Sequence, residues 1–316
     1  MRKLLTAIIL FQFMTPTFSQ VENPILDSLV SATINHSDIP SMAVAYIQPD
    51  ATFYGIDGVV RNDSDEPVRL TDKYHLGSNT KAVTSFLAFR LIEKGGIKLN
   101  TKFVDLFPEL NGEIRSDYVN ITLGDLMSHN AGIRPYTSGM AVNKVPTFAG
   151  TTTDKRLSFA KYAMSKKPAK IGEYSNGGLL IASLMMEKAS GKSYEELLDE
   201  TFTELDLDYF IGFPNKENIS QPWGHIKEKK NLKALGPDDE YKLPDYFLPA
   251  GDLSMSIVDY AKFIQIHING FLEKDSTLSK DSYKKLFYDK ADYSYGWGNQ
   301  INDKGNLVFH DGSAGT

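Results

Sequence analysis

The chain has 316 residues, 41% hydrophobic and 23% charged, a globular composition long enough for a sizeable core in one large or two smaller units. Its 34 basic and 40 acidic side chains are interspersed and sum to −6, which excludes whole-chain disorder and a basic nucleic-acid patch and leaves a small-molecule or peptidoglycan-like substrate as the expected partner. With no cysteine, the chain relies on neither disulfides nor a lipid-modified cysteine.

In chain order, residues 1–19 carry Arg2 and Lys3, the apolar run "LLTAIILFQF" and the small-residue pattern Thr17-Phe18-Ser19. That is the layout of a secretory signal peptide cleaved near Ser19, so a periplasmic or secreted protein is expected. No other stretch reaches the roughly 18 apolar residues of a membrane span, so no integral span is expected after cleavage. "NPILDSLVSATINH" has helical apolar spacing, and "SMAVAYIQ" (41–48) and "TFYGIDGVV" (52–60) read as strands joined at Pro49-Asp50. From 81 to 290 the pattern is mostly helices and loops, clearest in "ITLGDLMSHNAGI", "GGLLIASLMMEKASG" and "SMSIVDYAKFIQIHINGF". Strand signals return in "YGWGNQI" (295–301) and "NLVFH" (306–310) around the turn "NDKG". The expected fold class is α+β: an antiparallel sheet from 20–80 and 291–316, closed by the two ends of the chain and flanked by helices, with 81–290 inserted as a mostly helical region. The site is expected in the crevice between the two regions.

The segment "GSNTKAVTSFLAFRLIEKGG" places Lys81 in the first turn of a helix whose apolar positions 83, 86, 87 and 91 predict burial, and Lys94-Gly95-Gly96 supplies the stop. Ser78 and Lys81 are three apart, so their Cβ atoms lie roughly 5–6 Å from each other on one face. A lysine in a poorly solvated cleft has its charged form disfavoured and can take the serine's proton. The free N–H groups and dipole of the helix start favour a developing oxyanion. Ser158/Lys161 and Ser282/Lys285 repeat the spacing in polar surroundings and are expected to be solvated helix faces.

Two further segments give that pair a context. Tyr174-Ser175-Asn176 leads into the apolar helix "GGLLIASLMMEKASG", and His310-Asp311-Gly312 ends the last strand. Ser-x-x-Lys, then Tyr-x-Asn, then His-x-Gly on a strand is an order that resembles the penicillin-recognising serine hydrolases: class C β-lactamases, DD-peptidases, D-aminopeptidases and related esterases. "LGDLMSHNAGI" is similar to that family's Leu-Leu-x-His-x-Ser-Gly loop, "LPAGDLSMS" to its Pro-Ala-Gly-Gly-Leu segment and "YSYGWG" to its Tyr-Gly-x-Gly approach to the last strand. The resemblance implies a β-lactamase/transpeptidase-like fold and a nucleophile at Ser78. Lys81 would be its proton partner, and Tyr174 would pass the proton to the leaving group. Asn176 and His310-Gly312 would flank the substrate, and an oxyanion hole would form from the backbone N–H groups of Ser78 and Ser313.

The implied function is an exported serine hydrolase that forms an acyl-enzyme on Ser78, acting on esters, D-amino-acid peptides or peptidoglycan-derived amides. The alternatives are a β-lactamase and a penicillin-binding or sensor-like relative without turnover. His310 stands where the well-known lactamases have lysine, and Asp311 adds negative charge beside it, so anionic substrates are expected to be disfavoured. Relatives continue with more strand and a terminal helix after this segment, so the sheet is expected to be incomplete at its last edge. No cofactor or metal is expected, since the six histidines show no ligand spacing. His129 is expected to brace a loop, and Trp223, Tyr295 and Trp297 are expected either to line the cleft or to pack in the core.

Overall fold

In the computed structural model, residues 20–137, 142–229, 231–239, 243–303 and 305–314 are described. The expected signal segment, 1–19, lies outside them. Asn23 caps the first helix, Pro24–Asn35, by accepting a hydrogen bond from the Ile25 N–H, with Pro24 at the first helical position. This helix packs on the hairpin Ser41–Ile47 and Thr52–Gly58, whose register pairs Ser41 with Gly58 and Ile47 with Thr52. Gln20–Glu22 adds a parallel strand to its far edge.

Two helices form the centre. In Thr80–Glu93 every residue from Thr80 to Arg90 is buried, and in Asn176–Ser190 every residue from Asn176 to Glu187 is. Phe86, Phe89 and Val83 are fully enclosed, each worth about 1.5–3 kcal/mol on leaving water. A helix apolar on all sides is stable only when other elements surround it. Here they include Thr152–Met164, Tyr194–Glu204, Lys280–Tyr288 and the short helix Leu248–Gly251. Arg156, itself fully enclosed, ties three of these helices together through Glu187 at 2.6 Å and Glu195 at 2.5 Å.

Mixed helices and antiparallel ladders are the expected α+β class, but two details differ. The chain ends do not close one sheet among the described residues: Gly305–Phe309 pairs with Gly298–Asn302, while the N-terminal strands form a separate three-stranded sheet. Alternating apolar residues mark a strand, whereas its neighbour is chosen by docking, and here the residues that follow the hairpin, Gly312 and Ser313, lie against Leu76 and Gly77. The region 81–290 also contains strands, at Phe210–Ile211, His225–Glu228, Asn231–Ala234 and Leu253–Ser256. The last was expected to be helical. Instead Ser256 caps the Asp259 N–H and starts the helix at Ile257, freeing Leu253–Ser256 to pair with Lys73–His75.

Of the two other Ser-x-x-Lys pairs, Lys161 is on the surface, bridged to Glu113. Ser282 is buried rather than solvated, because it lies on the inner face of an amphipathic helix and donates to Glu93 at 2.5 Å. Tyr295 and Trp297 are core residues at 2% and 6% exposure, and Trp223 stacks under Arg61 and lines a second cavity beside His75 and Ser313 rather than the one that holds Ser78.

His267 is enclosed by Phe263, Phe86 and Trp297, donates from Nδ1 to the Phe263 carbonyl, and leaves Nε2 unpartnered. Burial lowers its pKa from 6.5 to about 4. The unfolded chain therefore takes a proton that the folded chain refuses, so stability is complete above pH 6.5 and is lost as pH falls toward 4. The loss from this group is on the order of 2 kcal/mol by pH 5. His267→Phe should flatten the fall in melting temperature between pH 7 and 5; parallel curves for the two proteins would show that another group carries the slope.

Candidate active site

The chain reaches the serine through a backbone constraint. Gly77 has φ +52°, and a Cβ there would lie 2.5 Å from the Ser313 nitrogen. A Cβ on Gly312 would lie 2.0 Å from the Leu76 carbonyl oxygen. Only glycine at both places lets the last described residues lie against the serine turn. Gly77–Asn79 forms a 3-10 turn that runs into the helix Thr80–Glu93, so Ser78 and Lys81 stand one above the other.

Lys81 Nζ lies 3.0 Å from Ser78 Oγ and donates to the Ala250 carbonyl at 2.6 Å. It also lies 4.8 Å from the centroid of the Tyr174 ring, whose hydroxyl hydrogen-bonds Ser78. The lysine is fully enclosed, and burial holds its pKa well below the usual 10.5. The same cause pushes Tyr174 up to about 12, against the lowering effect of the Ser78 hydrogen bond. Burial thus shifts the lysine toward its neutral amine, which can accept the serine proton, and keeps the tyrosine an intact phenol, which can donate one.

Tyr174 is held by His129, whose ring packs against it at a tilt of 50° with centroids 4.4 Å apart and whose Nδ1 accepts the Ser175 N–H at 3.2 Å. His129 has φ +61° and its carbonyl accepts from Gly172, so it does brace the loop, and it also sets the tyrosine ring. Burial first, then the Lys81 charge, lowers its pKa to about 3. Ser175 caps the next helix through the Gly178 N–H. That fixes Asn176, whose Nδ2 donates to the Tyr136 carbonyl and whose buried Oδ1 has no partner.

His310 is half-buried. Its Nδ1 meets the Asp311 carbonyl at 2.7 Å and its Nε2 meets the Tyr293 hydroxyl at 3.0 Å. A carbonyl accepts only, so Nδ1 carries the proton and Nε2 accepts from the tyrosine. Burial, then Lys81, lowers its pKa to about 4, so at pH 7 it is a neutral ring. Tyr293 is the group sequence reasoning missed: "YSYGWG" draws attention to Tyr295, yet Tyr295 enters the core and Tyr293 stands between His129 and His310.

A cleft of about 880 Å³ joins these segments, with Ser78, Tyr174, Asn176, His310, Gly312 and Ser313 on its walls. Glu173, Asp292 and Asp311 also line it, with no lysine or arginine among its described lining residues. No three His, Asp or Glu side chains among the described residues gather closely enough to hold a metal ion.

The family model described as Beta-lactamase matches residues 26–316. The chain belongs to this family. It is 24% identical over 301 residues to "Beta-lactamase" of Escherichia coli (strain K12), covering 90% of this chain and 75% of that one. It is 23% identical to "Protein flp" of Staphylococcus aureus (strain N315), covering 91% of this chain and only 58% of that one. Among solved structures, the D-amino acid amidase from Ochrobactrum anthropi SV3 complexed with L-phenylalanine amide superposes with a TM-score of 0.71 at 17% identity, covering 92% and 83% of the two chains. The class C beta lactamase from Rhodobacter sphaeroides gives 0.67 at 18%, covering 87% and 75%. These likenesses establish a β-lactamase/transpeptidase-like fold within a family of serine hydrolases. No helix among the described residues is long and apolar enough to cross a membrane.

Lys81→Met should slow acylation of Ser78 by a fluorophosphonate probe about 10³-fold, the scale of a lost general base. In the unaltered protein the labelling rate should rise with pH along a limb well below 10.5, and Tyr174→Phe should slow labelling without moving that limb. A limb that shifts with Tyr174→Phe would make the tyrosine the base.

Proposed function

We propose that the chain is an exported serine hydrolase that works through an acyl-enzyme on Ser78, with neutral or ammonium-bearing esters and amides, such as those of D-amino acids, as substrates. One observation carries this reading: a fully enclosed lysine amine 3.0 Å from an accessible serine hydroxyl in a cleft. As Oγ attacks the carbonyl carbon, its proton passes to Lys81. The backbone N–H groups of Ser78 and Ser313 hold the oxyanion. The Tyr174 phenol protonates the departing alkoxide or amine and is restored by the Lys81 ammonium. Water then enters and attacks the ester carbon, giving its proton to the same amine; the adduct expels Ser78 Oγ, which takes that proton back as the acid leaves.

The substrate charge follows from what lines the cleft. A β-lactam or a peptide C-terminus presents a carboxylate, but His310 is neutral and the three lining acids repel an anion. Asn176 Oδ1, without a partner, suits a substrate N–H. The D-amino acid amidase that shares the fold was solved with phenylalanine amide and with phenylalanine itself, which supports amino-acid-derived substrates. Export is supported by the basic and apolar pattern of residues 1–19.

Turnover should be measured on 4-nitrophenyl butyrate, D-phenylalanine amide and the carboxylate-bearing lactam nitrocefin, with Ser78→Ala as control. The expected order of kcat/KM places nitrocefin last, with Asp311→Asn raising it several-fold. Unchanged rates in Ser78→Ala would end the proposal, and nitrocefin as the preferred substrate would end its charge argument.

A further inference from the structure

The serine turn has a second support outside the Ser78–Lys81–Tyr174 group. His75 lies three residues before Ser78, with its side chain only 5% exposed and stacked at 4.1 Å on the Phe213 ring. Its Nδ1 accepts the Gly77 N–H at 3.1 Å, and its Nε2 lies 2.9 Å from Asp252 Oδ1. An N–H donor fixes Nδ1 as the bare nitrogen, so Nε2 carries the proton and donates it to the carboxylate. Asp252 is held in turn: its carbonyl accepts the Gly212 N–H at 2.7 Å, and the next residue, Leu253, accepts the Leu76 N–H at 2.8 Å. Asp252 also follows Ala250, whose carbonyl anchors Lys81, by two residues.

We propose that His75 and Asp252 are positioning residues that hold the backbone of Gly77, and through it the Ser78 turn, against Ser313. The claim rests on the hydrolase reading for its catalytic consequence but not for its geometry. Gly77 needs the clamp because it is the contact point: it sits in the left-handed region with the Ser313 backbone against it. A glycine without support would spread over several conformations and move both the hydroxyl and the nearby N–H groups. Asp252 stands where the resembling family segment, Pro-Ala-Gly-Gly-Leu, has its second glycine, and a glycine there has no side chain to meet the histidine.

The two ring nitrogens make the test selective. His75→Asn keeps an acceptor near the Nδ1 position, whereas His75→Gln places its amide near Nε2 and leaves Gly77 without an acceptor. His75→Ala and His75→Gln should lower kcat about 10- to 100-fold with KM within about twofold, while His75→Asn recovers most of the loss. Asp252→Gly should lower kcat similarly, and the double variant His75→Ala/Asp252→Gly should be no worse than either single one, because the residues act as a unit. Amide hydrogen exchange of the peptide containing Gly77 reads the clamp without turnover: protection should fall in His75→Ala and Asp252→Gly and hold in His75→Asn. Unchanged exchange, additive losses, or lower melting temperatures with kcat intact would overturn the proposal. If the unaltered protein hydrolyses none of the test substrates while exchange follows the predicted order, the hydrolase reading falls and the clamp stands.

Discussion

The removal of one amine from water is the constraint on which the rest depends. Lys81 is enclosed on every side, and its Nζ has two polar neighbours: the Ala250 carbonyl and the Ser78 hydroxyl. An ammonium in that setting would lose its hydration with little return, so the neutral form is favoured. The helix that carries it is accordingly buried around its whole circumference from Thr80 to Arg90. A solvated face would admit water to the amine and restore its basicity. What looks like an ordinary hydrophobic core is thus also the medium of the chemistry. The same exclusion of water moves Tyr174 and Tyr293 upward and His129 and His310 downward, so one physical cause leaves four further groups of the cleft uncharged at neutral pH.

That neutrality sets the division of labour in the cleft. The groups nearest Ser78 can exchange a proton among themselves because none is locked in a charged state. Fixed charge appears only at the exposed acids Glu173, Asp292 and Asp311. Their influence is screened over roughly a Debye length, so they bias which substrate approaches more than they alter the bond-making step. On the proposed function, reaction and selection fall to different residues at different depths.

What the sequence discloses of this arrangement is what short-range periodicity encodes. The three-residue spacing of Ser78 and Lys81, the apolar helix around them, and the capping serine before Asn176 are local facts, and the structure has each as local geometry. Pairings between distant segments are not encoded this way. Leu253–Ser256 reads as the front of a helix because its apolar residues also fit that period, and it becomes a strand only because Lys73–His75 lies beside it. Tyr293 and Tyr295 are two residues apart in one aromatic stretch. One goes to the cleft and the other to the core, where the next residue, Gly296 with φ +74°, packs against the Lys81 carbonyl. Asp252 reads as a lone departure from a small-residue motif until His75 is seen opposite it. Ser282 was readable: positions 282, 283, 286 and 287 form the inner face of its helix, despite the charged residues between them.

Six of the eleven buried polar atoms without partners among the described residues fall into two groups, and their surroundings separate them. His267 Nε2, Tyr283 Oη and Trp297 Nε1 lie in an aromatic box among Phe263, Phe86 and Phe287. No substrate in the Ser78 cleft reaches them, so their cost, about 1–3 kcal/mol for each buried group left unpaired, falls on folding alone. His129 Nε2, Asn176 Oδ1 and Asn79 Oδ1 lie instead around the segments that form the cleft. There a ligand can complete what the fold leaves open, and Asn176, itself on the cleft wall, is the most direct case. An unsatisfied acceptor at that position lowers the stability of the empty protein and adds by the same amount to the preference for a substrate that brings a donor. The core can hold such an atom only as a loss, whereas under the proposed function the cleft offers it to a substrate.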